Sequence, residues 1–195
     1  HDIPMSAVAA GLAPNREWKS RTYGQDWLVG DTVNASIGQG YMLINPLQMA
    51  VMAARLATGR QLMPNFLYGA PRPDPGLVGA SEDHLVIIRD AMSAVVNGGG
   101  TGGAARMNIP DVLIAGKTGT AQVRRITMDE RAGGVRGNSS LAFKLRDHAL
   151  FQGFAPFDKP RYAVGCIIEH GGHTIRNEDA PMIASDTMSY LFDPQ

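Results

Sequence analysis

The run Ile114-Ala115-Gly116-Lys117-Thr118-Gly119-Thr120-Ala121-Gln122-Val123 sets a polar tetrad, Lys117 to Thr120, inside an otherwise apolar stretch. With Val112 and Leu113 before it, the stretch has the composition of a strand spanning 112–123. A polar tetrad in such a strand must face water at a sheet edge or face a ligand. Gly119 sharpens the choice, because a glycine within a strand marks close approach by another backbone or a bound molecule. Two further strands are expected at His148 to Ala155 and Arg161 to Glu169. Their connection, Pro156-Phe157-Asp158-Lys159-Pro160, is short and turn-rich, so the two should pair antiparallel. Tyr162, Val164, Cys166 and Ile168 alternate with Ala163 and Ile167. Both faces are therefore apolar, which predicts a sheet covered on both sides.

Helices are expected around this sheet. Asn45-Pro46 supplies a cap and a proline at the first helical position, and Leu47 to Ala57 is apolar on most faces until Gly59. Ser81 opens a second helix with Leu85, Ile88, Met92, Val95 and Val96 at helical spacing, stopped by Asn97-Gly98. Pro64 and Pro71-Arg72-Pro73-Asp74-Pro75-Gly76 between them can only be loop. The tail from Asn177 to Phe192 places Ala180, Ile183, Ala184, Thr187, Met188 and Leu191 on one stripe of a closing helix. Residues 1 to 31 show no sustained period and are expected to be irregular. Residues 124 to 147 are too long for a tight hairpin. With Arg124, Arg125, Arg131, Arg136, Lys144 and Arg146 they are expected to form a basic flap or a solvated loop.

The 195 residues carry 18 basic and 18 acidic side chains, so no global field favours nucleic acid or an anionic surface. No apolar stretch approaches the roughly 18 residues of a spanning helix. The single cysteine, Cys166, lies in an apolar run and is expected to be a small core residue. Gly98 to Gly103 matches G-x-G-x-x-G but follows a helix, and no acidic residue stands at the required distance, so a dinucleotide site is excluded. Gly116-Lys117-Thr118 resembles the end of a phosphate loop, yet Asp111 occupies the place of its first glycine. His170 and His173 are three apart with no cysteine or carboxylate cluster nearby, a poor metal pattern, and neither metal nor cofactor is expected. Ser36 lacks the glycine of a nucleophile elbow and is expected in a turn.

Against this background the Lys117-Thr118-Gly119-Thr120 strand resembles the K-[ST]-G strand of penicillin-binding proteins. Other landmarks in the same order strengthen the likeness: Gly30-Asp31, Ile37-Gly38-Gln39-Gly40-Tyr41, Asn45-Pro46-Leu47-Gln48-Met49-Ala50, and Leu145-Arg146-Asp147-His148 leading to Phe151-Gln152-Gly153-Phe154-Ala155-Pro156. With Arg16-Glu17-Trp18-Lys19 they most resemble the class B group that serves cell elongation, penicillin-binding protein 2. The resemblance implies an α+β fold of the D,D-peptidase and β-lactamase type, an antiparallel sheet between helical layers, of which residues 1–195 would hold about three of five strands. It implies a peptidoglycan D,D-transpeptidase that cross-links stem peptides through an acyl-serine enzyme and is trapped by β-lactams. Lys117 would supply positive potential and assist proton transfer, Thr118 and Thr120 would bind the substrate carboxylate beside Gly119, and the Thr120 N–H would be an oxyanion donor. A single-pass anchor on the periplasmic face of the inner membrane, a rod-shape glycosyltransferase and other elongation-complex proteins are implied for the parent.

Part of the family pattern is missing. The residues three before Lys19, Lys117, Lys144 and Lys159 are Arg16, Ile114, Leu141 and Pro156, so the chain has no Ser-x-x-Lys. Ser81-Glu82-Asp83 matches the second motif formally, but it follows the Ile37-Gly38-Gln39-Gly40 landmark where the family places it before, and a helix cap accounts for it. With an opening His1-Asp2 in place of an initiator methionine, the chain is expected to be the C-terminal portion of a transpeptidase domain, inactive alone and prone to associate through exposed core. A penicillin-recognising sensor, a β-lactamase-type hydrolase and a non-catalytic scaffold of the wall-building complex are the alternatives.

Overall fold

The three β-forming runs pair in chain order. The computed structural model describes residues 8–124, 126–172 and 179–192, with β1 at Ala115–Ala121, β2 at His148–Ala155 and β3 at Tyr162–Ile168. They form one antiparallel sheet of order β1-β2-β3. The first strand begins later than its apolar run, because Leu113 O already accepts the Phe157 N–H (2.9 Å) from the β2–β3 connection. Register aligns Lys117 with Gln152 and Gly165, and Thr118 with Phe151 and Cys166. Residues two apart share a face, so these two rows define opposite sides of the sheet.

The chain divides into two compact units, His1–Asn45 and Pro46–Gln195, and the sheet lies in the second. There α3, Pro46–Thr58, and α4, Glu82–Asn97, occupy the expected helical stretches. Met92 of α4 and Ala57 of α3 pack with Ala115 and Phe154. On the opposite face α6, Ala180–Phe192, brings Ala180, Ala184 and Met188 against Phe151, Ala149 and Ala155. The sheet is thus covered on both faces, as its apolar alternation requires. Cys166 is half-buried against that second cluster, where burial pushes its thiol pKa up and Asp179 adds to the rise.

Glycines decide how closely these layers approach. A Cβ on Gly165 would lie 2.4 Å from Pro46 O and 2.9 Å from Ala50 N, so the backbone of α3 rests directly on β3. A Cβ on Gly116 would lie 2.3 Å from Phe151 Cζ, and one on Gly153 would lie 3.1 Å from Phe151 Cε1. The fully buried Phe151 ring therefore lies across a paired set of glycines.

Several expectations change. The stretch expected to be irregular holds one helix and the start of another: α1 spans Arg16–Tyr23 and α2 spans Val29–Ser36, with residues 24–28 irregular between them. Asn15 Oδ1 caps α1 by accepting the Trp18 N–H (2.8 Å), and Gly24 closes it at φ +63°. Trp18 packs edge-on to Tyr23 and Tyr41. Lys19 is only 3% exposed because its ammonium donates to Asp31 Oδ2 (2.5 Å), which also accepts the Leu28 N–H (2.7 Å). The Lys19 bond, helped by that of Leu28, holds the Asp31 carboxyl below its ordinary pKa. Ser36 ends α2, its hydroxyl donating to Val33 O. Ser81 precedes α4 but makes no side-chain cap bond. On α6 the buried line runs through Ala180, Pro181, Ala184, Ser185 and Met188, while Ile183, Thr187 and Leu191 are exposed, so the expected stripe is rotated toward Ser185. Among the described residues no helix is long and apolar enough to cross a membrane.

Gly165→Ala is expected to destabilise the fold by about 1–3 kcal/mol, since neither α3 backbone atom can retreat. Gly30→Ala in α2, where a Cβ meets nothing within 4 Å, should be neutral or stabilising by up to about 1 kcal/mol. Thermal denaturation of the two variants side by side measures the contrast.

Candidate active-site strand

β1 lies at the open end of the sheet among the described strands, so one side of its backbone has no strand partner. Lys117 and Gly119 are exposed, and Thr118 and Thr120 are half-buried. Successive side chains leave a strand on opposite faces, yet the Lys117 Nζ donates to Thr118 O (2.8 Å) and to Thr118 Oγ1 (3.3 Å). The ammonium reaches both by curling around the open edge. Gly119 keeps that edge bare, and a Cβ there would stand 3.3 Å from Leu150 Cβ on the neighbouring strand. Thr118 Oγ1 also lies 2.8 Å from Thr101 Oγ1. All four residues expected from the sequence, Lys117, Thr118, Gly119 and Thr120, thus sit on one open-edged strand.

This strand geometry coincides with a match along nearly the entire chain: the profile of the penicillin binding protein transpeptidase domain covers residues 5–189. The chain belongs to that transpeptidase-domain family. It is 38% identical over 183 residues to the peptidoglycan D,D-transpeptidase MrdA of Acinetobacter baumannii, covering 88% of this chain and 26% of that protein. The Salmonella typhimurium protein of the same name is 29% identical over 205 residues, covering 99% of this chain and 32% of that one. The chain therefore spans about a quarter to a third of these curated relatives. Among solved structures it resembles Pseudomonas aeruginosa PBP2 in complex with WCK 5153, with a TM-score of 0.72, 34% identity, and coverage of 99% of this chain and 41% of that one. It also resembles the PBP2 chain of a complex with MreC from Helicobacter pylori, with a TM-score of 0.74, 29% identity and coverage of 96% and 32%. The α+β fold with an antiparallel sheet is that of these transpeptidase domains.

Around the transpeptidase strand the flap is more ordered than its composition suggested. It contains α5, Met128–Gly133, whose cap Thr127 accepts the Glu130 N–H. Both Glu130 oxygens accept from the Arg124 guanidinium (2.7 and 2.8 Å), and Arg136 Nε stands 4.0 Å from the same carboxylate. Arg124 thereby pulls the Glu130 pKa below its usual value. The Arg124 charge is thus paired with Glu130 inside the flap. Asn138 accepts the Asp147 N–H and donates to its carboxylate, closing the flap at its far end. A pocket of about 220 Å³ lies between Gln122, Arg136 and Asp147.

Near the same end of the sheet His170, at φ +56°, donates its backbone N–H to His148 Nδ1 (2.9 Å). Its own Nδ1 meets Arg146 O (3.1 Å), and since a carbonyl only accepts, that nitrogen carries the proton. His170 thus pairs with His148; His173 lies outside the described residues. In the row of Lys117, Gln152 Oε1 is buried without a hydrogen-bond partner among the described residues.

The residue that sequence reasoning missed is Thr101. Its signal is its place as the one polar side chain inside Gly98-Gly99-Gly100-Thr101-Gly102-Gly103, a glycine run without a dinucleotide pattern.

The flap pair yields a pH prediction. Because Glu130 is held below its ordinary value of 4.5, its contribution to stability is fully present above that value and is lost as pH falls through the lower, folded-state value. The difference in denaturation midpoint between the parent chain and Glu130→Gln should hold at neutral pH and shrink toward zero on acidification below 4.5.

Proposed function

We propose that this chain is the Lys-Thr-Gly-bearing, C-terminal portion of the transpeptidase domain of a peptidoglycan D,D-transpeptidase of the elongation type. The observation that carries the proposal is the open edge of β1, where a cation and a hydroxyl converge, Lys117 Nζ lying 3.3 Å from Thr118 Oγ1. An extended peptide ending in a carboxylate fits such an edge. Its backbone can add alongside β1 as a further strand, while its carboxylate meets the Thr118 and Thr120 hydroxyls and the Lys117 charge. Charge-assisted bonds of this kind are worth about 1.5–3 kcal/mol each.

In this mechanism a serine outside residues 1–195 attacks the penultimate D-alanine carbonyl of a stem peptide. The Thr120 backbone N–H stabilises the oxyanion that forms, and loss of such a donor costs about 2.7–4 kcal/mol. The terminal D-alanine leaves, and an amine from a second stem resolves the acyl-enzyme. β-Lactams enter the same step because their strained amide and carboxylate imitate the stem-peptide end. Lys117 assists by holding positive potential beside the carboxylate and by favouring proton transfer through a neighbouring hydroxyl. A solved relative is a complex of PBP2 with MreC, which supports a wall-elongation partner for the complete protein, and wall synthesis supports a site at the periplasmic face of the inner membrane. Residues 1–195 alone hold Leu28, Val29 and Ile37 exposed in the first unit, and self-association through apolar surface is part of the same proposal.

Fluorescent penicillin tests the assignment. The complete gene product should label covalently and stoichiometrically, while residues 1–195 alone should not, and labelling of the short chain would sink the claim that the nucleophile lies elsewhere. In the complete protein, Lys117→Ala is expected to slow acylation by about ten- to hundredfold. Acylation at the parental rate would remove Lys117 from the mechanism.

A further inference from the structure

The Gly98–Gly103 stretch is built to place one hydroxyl. Gly98 N–H donates to Ala94 O (2.8 Å) and Gly102 N–H to Val95 O (3.0 Å), folding the loop back over the last turn of α4. Glycine is required for this. A Cβ on Gly98 would lie 2.8 Å from Ala94 O, one on Gly100 would lie 2.7 Å from Val95 O, and Gly99 sits at φ +83°. Beyond the loop the Arg106 guanidinium donates to Val96 O (2.9 Å) and Asn97 O (3.0 Å), and Asn97 Nδ2 donates to Ile114 O (3.0 Å), immediately before β1. The end of α4, the loop and the start of β1 are thus tied together. Their product is the 2.8 Å contact between Thr101 and Thr118.

Counting protons gives that contact a direction. A hydroxyl has one proton and two lone pairs, and an ammonium only donates. Lys117 takes one lone pair of Thr118 Oγ1. If Thr118 gave its proton to Thr101, nothing would remain for an anion. If Thr101 donates, the second lone pair of Thr118 is filled and its proton stays available. Thr101 is exposed and has no other side-chain partner among the described residues, so it is free to donate. A bound carboxylate, which only accepts, selects this direction and polarises the chain of hydrogen bonds.

We propose that Thr101 is a positioning residue for Thr118: it donates to Thr118 Oγ1, fixes that side chain, and leaves the Thr118 proton for the substrate carboxylate. This rests on the transpeptidase reading above and adds to it a residue outside the Lys-Thr-Gly strand.

The test measures second-order acylation of the complete gene product by benzylpenicillin and by its methyl ester, which lacks the anionic carboxylate. Thr101→Val, which keeps the shape and removes the hydroxyl, should slow acylation by benzylpenicillin about tenfold or more while leaving the ester little changed. Thr101→Ser should restore the parental rate. In a Thr118→Val background the Thr101→Val change should add little, because the two act through one hydroxyl. Thr101→Ala supplies a second hydroxyl-free variant, and equal melting temperatures confirm folding. Parental rates in both hydroxyl-free variants, equal slowing of acid and ester, or full additivity with Thr118→Val would each overturn the proposal. Failure of the unsubstituted protein to acylate at all would instead overturn the transpeptidase reading.

Discussion

The Phe151 ring, wholly buried across the Gly116–Gly153 pair, is the contact on which the rest of the second unit depends. A one-residue slip of β1 along β2 would set Lys117 on the face that α6 covers and drive a side chain into the ring. Register in a two-sided sheet is fixed by which residues each face can accept. Here one aromatic ring and two absent side chains leave a single register. The same register carries Lys117 and Gly119 to one face and Thr118 and Thr120 to the other, so the edge geometry of the site follows from core packing several ångströms away.

Position along the sheet is set separately, at the junction of α4 with β1. Val96 and Ile114 are both fully buried in one cluster, and the polar atoms around them are used as ties. The last carbonyls of α4 would otherwise be unpaired, and a guanidinium there also suits the negative end of the helix. Arg106 meets both needs, and its own carbonyl accepts from Ser185 Oγ on α6 (3.1 Å). The rotated face of α6 is explained by this bond, since Ser185 must point inward to make it. Hydrophobic periodicity cannot report such a requirement.

That distinction separates what was legible in the sequence from what was not. The β2–β3 hairpin, α3, α4 and the edge character of Lys117 to Thr120 follow from apolar periodicity, turn residues and a polar interruption, all of them local signals. The short helices α1 and α2 do not. Each has 8 residues, and their order comes from Asn15, Gly24 and an ion pair between Lys19 and Asp31, 12 positions apart. A buried lysine is unreadable until its carboxylate partner is known. Arg124 is the same case reversed: with its basic neighbours it suggested a basic flap or a solvated loop, but Glu130 six residues on takes both of its terminal nitrogens. Thr101 was hidden for a third reason, because only tertiary folding brings residue 101 beside residue 118.

These pairings also bear on the carboxylate recognition proposed for β1. The chain has no net charge, and the Arg124 cation of the flap is satisfied internally, so long-range attraction contributes little and would be screened within about 8–10 Å at ordinary salt. What β1 offers is a short-range arrangement: one exposed ammonium bent around the edge onto a hydroxyl that a second hydroxyl touches. Such a site gains from direct, oriented hydrogen bonds far more than from field strength. On the proposed reading it would favour a carboxylate at the end of an extended chain over anions in general, because only an extended chain can satisfy the open backbone edge and the hydroxyls together.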